Sequence, residues 1–310
     1  METNQDCSCG NVYVNYCCPD GNGGASFLGT KVYVDSRNTN ESPDGSVNNP
    51  FTTLEQAFAY ADSTDEDYIV NVINASKIPS VEYTFTKKGN LGIVGDLACN
   101  IQNIQSSQYL NLSLRFQDEE SKLFVNELMA NLYVFGGQEA YIDNIISLEI
   151  ALYDISFGVH INNCRGQQAG SYVFLGSEKE QMTHLTNLSI TNSVIGTMII
   201  NQWVYSAWAG NSYLSEISSS IDDLLLAFII DGCYVGFLDN SKVAFGHYIC
   251  LQDSVLRNVT NPEGIIIENS DMYLKSSFEV TNYTPEKNSL LSHLEALDKK
   301  IGELQAQINS

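Results

Sequence analysis

Residues Lys31 to Ile73 read KVYVDSRNTNESPDGSVNNPFTTLEQAFAYADSTDEDYIVNVI, and this stretch decides the fold. Val32, Tyr33 and Val34 form a short β-branched and aromatic run of strand type. A polar loop follows and ends in the turn formers Pro43-Asp44-Gly45-Ser46 and Asn48-Asn49-Pro50. Thr52 then offers an N-cap, with Glu55 three residues on as its capping-box partner. Leu54, Ala57, Phe58 and Ala61 stand at i, i+3, i+4 and i+7, so the spacing predicts a short helix with one apolar face. A helix of about ten residues is marginal alone in water. It needs a core to lie on, and Tyr68 to Ile73 reads as the first strand of that core.

The order of parts resembles the opening of right-handed parallel β-helix proteins of the pectin-lyase-like superfamily. The match is carried by Tyr33, Val34, Asp35, Asp44, Gly45, Ser46, Pro50, Phe51, Leu54 and Ala57. One departure is that Asn38 to Ser42 stands where a G-x-D often precedes the DGS. The resemblance implies that the helix caps the N-terminal end of a solenoid. The same parts also suit an α/β domain with a capped helix.

Downstream, from about residue 65, strand-like runs alternate with Asn, Asp, Ser and Gly turns. A loose repeat recurs: an aliphatic residue, two mostly polar positions, then Cys or Ser. Its members begin at Ile161, Ile190, Ile230, Leu251 and Ile267, and Ile73-Asn74-Ala75-Ser76 is a possible earlier copy. The starts are 29, 40, 21 and 16 residues apart, which suits coils of twenty-odd residues stretched by loop insertions. On this reading the aliphatic residue points inward and Asn or Asp takes the bend. Cys164 and Cys233 are then small core residues rather than ligands or nucleophiles. Two stretches break the pattern: residues 115–140, read as including a loop off the rod, and Asn201 to Asp223. The second holds Trp203, Tyr205, Trp208 and Tyr213, whose rings suit either glycan binding or a subunit interface.

Both ends stand apart. Cys7, Cys9, Cys17 and Cys18 flank the run Asn11 to Tyr16, and Pro19 to Gly24 is a joint. Zinc binding, disulfides made after release, buried thiols and an anchor against a partner are all open to these four cysteines. At the other end Leu290, Leu294, Leu297, Ile301, Leu304 and Ile308 are spaced 4, 3, 4, 3 and 4 apart, an a/d seam. The seam predicts a coiled-coil oligomerisation helix, although the same pattern suits a helix folded back on the rod. Isoleucine at a with leucine at d favours a homodimer. Resemblance to viral β-helix fibres implies a homotrimer, and the short zipper is expected to follow the body.

The formal net charge of -22 repels phosphate backbones and anionic membranes, so nucleic acid is excluded as a partner. Neutral glycans, proteins or contacts bridged by divalent cations remain. No apolar run is long enough to span a bilayer, and Met1 to Asp6 has no signal-peptide character, so synthesis in a reducing host cytoplasm is expected. Enzymes of the superfamily carry N-T-D, D-D, G-H-G and R-x-K motifs, or acidic calcium ligands with a basic residue. Here Asp222-Asp223 stands alone, and none of Arg37, Arg115, Arg165 and Arg257 lies in such a motif. Asp143, Glu149 and Asp154, or Asp231, Asp239 and Asp253, are acids that neighbouring coils can bring to one face. His160, His184, His247 and His293 have no metal or triad spacing.

The expected organisation is a mostly β chain: a Cys-rich anchor (1–30), an opening strand, loop and capping helix (31–64), a parallel β-helix (65–284) and a coiled coil (285–310). The whole resembles a bacteriophage or viral fibre or tailspike, a virion protein for host attachment. A polysaccharide-degrading tailspike and a capsid decoration protein are the alternatives. No catalytic residue or cofactor is assigned.

Overall fold

A computed structural model of the chain describes residues 27–74, 80–95, 110–166, 171–178, 184–222, 226–242, 249–261 and 265–272. The cysteines Cys7, Cys9, Cys17 and Cys18 and the heptad seam from Leu290 to Ile308 lie outside the described residues.

The described residues form two parallel sheets. Sheet I stacks β1 (Thr30–Asp35), β2 (Tyr68–Asn74), β4 (Leu91–Val94), β6 (Lys122–Asn126), β8 (Glu139–Asp143), β11 (Gly158–Asn162), β14 (His184–Thr191), β16 (Trp203–Gly210), β18 (Leu226–Asp231), β20 (Ile249–Gln252) and β22 (Ile265–Glu268) in that order. Sheet II stacks β3 (Ser80–Phe85), β5 (Leu110–Phe116), β7 (Ala130–Phe135), β10 (Glu149–Tyr153), β13 (Tyr172–Gly176), β15 (Val194–Ile200), β17 (Tyr213–Ser218), β19 (Tyr234–Leu238), β21 (Val255–Leu256) and β23 (Asp271–Met272). Two short pieces, β9 (Ile146–Ser147) and β12 (Arg165–Gly166), pair beside it. The chain passes from one sheet to the other and back, so every sheet neighbour is a later coil. This is a parallel β-solenoid. Ten strand steps of about 4.8 Å make sheet I roughly 48 Å tall.

Period-2 alternation explains the core. Val125, Ile142, Ile161, Ile190, Ala209, Ile230, Leu251 and Ile267 follow one another in register up sheet I, and all are buried. Leu112, Leu132, Ile150, Val173, Met198, Ile217 and Leu238 do the same in sheet II. Each of these side chains other than Ala209 contributes about 1.5–3 kcal/mol on burial.

Helix α1 (Leu54–Ala61) packs against β1, β2 and β3, with Leu54, Ala57, Phe58 and Ala61 buried. Its cap lies one residue later than expected. Thr53 is the N-cap, in extended geometry, and its hydroxyl accepts the Gln56 N–H at 3.2 Å. The Gln56 side-chain oxygen accepts the backbone N–H groups of Thr52 and Thr53 in return. An amide at the third helical position reaches both donors, so Gln56 rather than Glu55 completes the box.

Neither apparent break is one. Residues 115–140 hold the end of β5, β6, β7 and the start of β8, with a tight turn at Asp118–Ser121 between β5 and β6, and Gly136 and Gly137, both at positive φ, between β7 and β8. Residues 201–222 of the second hold β16 and β17, an ordinary coil. Ala209-Gly210-Asn211-Ser212 is the missing repeat, and it divides the 40-residue gap into steps of 19 and 21. Alanine and glycine stand there in place of a branched aliphatic residue, which hid the signal.

Candidate functional site

From β6 to β22, the bend that follows each sheet I strand is built on one regular plan. One residue per coil sits at left-handed φ: Glu127, Asn144, Asn163, Asn192, Asn211, Gly232, Asp253 and Asn269. Asparagine, aspartate and glycine tolerate that region best, which is why they recur. Asn144 donates to the Asn126 side chain at 2.9 Å, Asn162 to Asp143 at 2.8 Å, and Asn192 to Asn162 at 3.0 Å. One residue on, the small side chain turns inward and forms a second ladder. Backbone N–H groups of Cys164, Ser193, Ser212, Cys233 and Ser254 each donate to the side chain one coil up, at 3.1, 3.1, 3.4, 3.0 and 2.9 Å. The Ser193, Ser212 and Ser254 hydroxyls donate back to the carbonyl two residues earlier. Cys164 and Cys233 are buried free thiols; burial pushes them up to about 12 and about 11, so they stay protonated and inert. The bend is a structural device.

The candidate binding surface is the outer face of sheet II. Phe135 and Tyr153 stack at 4.8 Å with ring planes 4° apart, and Phe174 follows Tyr153 at 5.2 Å. The Arg115 guanidinium lies 4.4 Å over the Phe135 ring and reaches Glu178 at 3.1 Å. Beside this ladder the Glu149 carboxylate accepts the Tyr133 hydroxyl at 2.6 Å and the Tyr172 hydroxyl through its other oxygen. Asn131 holds the Leu148 and Glu149 N–H groups at 3.1 and 3.2 Å, which fixes the strand start. Burial, followed by the bond to Glu149, raises the Tyr133 hydroxyl well above its ordinary range and takes Tyr172 to about 12. Both phenols therefore stay protonated as donors. The result is a flat, half-buried aromatic strip flanked by a fixed carboxylate and a cation.

The four aromatic residues expected to act together are divided between the sheets. Trp203, Tyr205 and Trp208 belong to β16 of sheet I, and Tyr213 to β17 of sheet II, where it stacks on Tyr234 at 5.0 Å. Trp203 lies edge-on to His184 at 4.6 Å and packs against the core, while Tyr205 stacks on His184 at 5.4 Å and is 56% exposed. Trp208 packs with Ile229, Cys250 and Ile266.

The acid groupings also separate. Asp143 sits in the bend ladder, Glu149 is held by tyrosines, and Asp154 is buried at the far end of β10 against Ser177. Asp231 and Asp253 do approach, since the Asp253 charge adds to burial in raising Asp231, but Asp239 follows β19 on the other sheet. Among the described residues no three His, Cys, Asp or Glu side chains gather to hold a metal, and no helix is long and apolar enough to cross a membrane. The Glu149 cluster was hidden in the sequence, because its tyrosines lie 16 residues before and 23 after it. No protein-family model, no curated protein and no solved structure matches the chain.

Proposed function

We propose that the chain is a structural and adhesive rod, a virion fibre of tailspike type, whose sheet II face takes a neutral host-surface glycan. The aromatic strip Phe135–Tyr153–Phe174, with Arg115 and Glu149 at its margins, carries the reading. Flat rings accept the apolar faces of sugars, and a carboxylate fixed by two phenols keeps lone pairs free for sugar hydroxyls. A chain of net charge -22 disfavours acidic polysaccharides. The resemblance of residues 31–57 to β-helix proteins supports a right-handed coil with α1 as its N-terminal cap. The a/d spacing of the tail supports an oligomer and the resemblance to viral fibres supports a homotrimer, with divalent cations offsetting charge between subunits.

The test is a neutral-glycan panel read with the full chain and with Tyr153→Ala and Phe174→Ala. Binding by the parent, lost in both variants while the fold is kept, supports the reading. No binding by the full chain, together with capture on capsids, supports a decoration protein instead. Release of sugar fragments supports a glycan-degrading enzyme. Light scattering on the full chain and on a chain stopped after Pro285 tests assembly: a monomer in both cases removes the fibre.

A further inference from the structure

One column on the surface reads the same in both directions. After each of five successive bends, the first side chain to point outward stands in register with its equivalents: Arg165, Val194, Tyr213, Tyr234 and Val255, on β12, β15, β17, β19 and β21. The residues flanking them from Val194 on, such as Ser212 and Leu214, are buried, so strand alternation turns this column outward. Val194 and Tyr213 are both 46% exposed. The Tyr213 and Tyr234 rings stack at 5.0 Å with planes 3° apart, which fixes both before anything docks. A rigid tyrosine pair loses little side-chain freedom on contact. From Val194 to Val255 the stripe rises three strand steps, about 14 Å.

The order Val-Tyr-Tyr-Val is symmetric about the midpoint between Tyr213 and Tyr234. A two-fold axis placed there sets Tyr213 on Tyr234 of a second copy and Val194 on Val255, each pair made twice. The charges agree. These four side chains carry none, on a chain of net charge -22 whose copies otherwise repel. Arg165, one step before Val194, is exposed and makes no ion pair among the described residues. In a parallel pairing each Arg165 would face its own copy. In the antiparallel one it falls one step beyond Val255, beside the exposed Asp253 of the other chain. Burial, then the Asp253 charge, raise Asp231, so a cation arriving there relieves a like-charge pair.

We infer that the column Val194–Tyr213–Tyr234–Val255 is a docking surface for a second copy of this chain, laid alongside and antiparallel about a two-fold axis between the two tyrosine levels. The stripe is narrow, so one contact is weak and below the standard interface size. It joins shafts side by side, and it gains strength where several chains already travel together. This inference stands apart from the glycan reading, whose aromatic strip lies on β7, β10 and β13.

Full-length chains carrying Val194→Cys are mixed with full-length chains carrying Val255→Cys and oxidised mildly. The expected product is a covalent pair whose bond, mapped by tandem mass spectrometry, joins position 194 to position 255. Shafts held parallel by the tail keep those positions three steps apart, about 14 Å, whereas a disulfide needs Cα atoms within about 7 Å. A bond from 194 to 194 or from 255 to 255, or no bond between the introduced thiols, would overturn the proposal. As a second arm, light scattering on the parent chain over a range of concentrations should show an association that Tyr213→Ser weakens by about tenfold, with the far-UV spectrum unchanged. A parent mass that does not rise with concentration, or an association indifferent to Tyr213→Ser, counts against the column. Tyr213→Ser should bind glycans as the parent does, so failure of this contact and failure of the glycan reading are told apart.

Discussion

The backbone N–H of Cys233 donates to the hydroxyl of Ser254 at 3.0 Å, and that hydroxyl donates in turn to the Gln252 carbonyl at 2.7 Å. Both residues are buried, so no water relieves a broken link. Ser254→Ala leaves the Cys233 N–H without its acceptor at a cost of about 1–3 kcal/mol. A lower denaturant midpoint with an unchanged far-UV spectrum is expected. Cys233→Ser keeps a donor and an acceptor in the same place and should be close to neutral.

The left-handed bends give a second expectation. Asn192 holds φ +49°, and its amide bonds Asn162 at 3.0 Å. A branched side chain there meets the steric cost of about 1–2 kcal/mol for that region. Asn192→Val should therefore destabilise more than Asn192→Gly, as read by thermal or urea unfolding.

Thr53 and Thr52 are told apart by their bonds. Thr53→Ala removes the acceptor of the Gln56 N–H and should cost about 1 kcal/mol. Thr52→Ala keeps its backbone bond to Gln56 and should cost less. Equal losses would argue against the cap as described.

Two acids should respond to pH in opposite senses. Burial, then the Asp253 charge, raise the pKa of Asp231. The folded state thus holds that proton more tightly, and the ionised carboxylate costs stability above the folded pKa but not below the unfolded one. Asp231→Asn should raise the unfolding midpoint at pH 7, and the gain should vanish below about pH 4. The Arg37 side chain lowers Asp35. That stabilisation is present above the unfolded pKa and is lost as pH falls through the folded one, so Asp35→Asn should destabilise at pH 7 and matter less in acid.

The solenoid was legible where one side chain served one purpose. Ile161, Ile190, Ile230, Leu251 and Ile267 face a core with no other demand on them, and the Asn and Ser beside them are dictated by bend geometry. The repeat faded where packing allowed substitutes, as at Ala209, or at Leu128 and Ile145, which take the small-residue position in earlier coils. The outer faces were not legible. Partners such as Tyr133, Glu149 and Tyr172 meet only because coils of unequal length stack in register, and that register is set by the core. The division of Trp203 and Tyr213 between two sheets has the same cause.

The ladder at the bend also makes length a matter of counting. From Cys164 to Ser270 each coil offers the same donor below and the same acceptor above, whatever its loops carry. Loss of residues 190–208 would seat Ala209 on Ile161 and Ser212 on Cys164, like on like. A shaft built so grows or shrinks in whole steps, and its cross-section does not record how many steps there are.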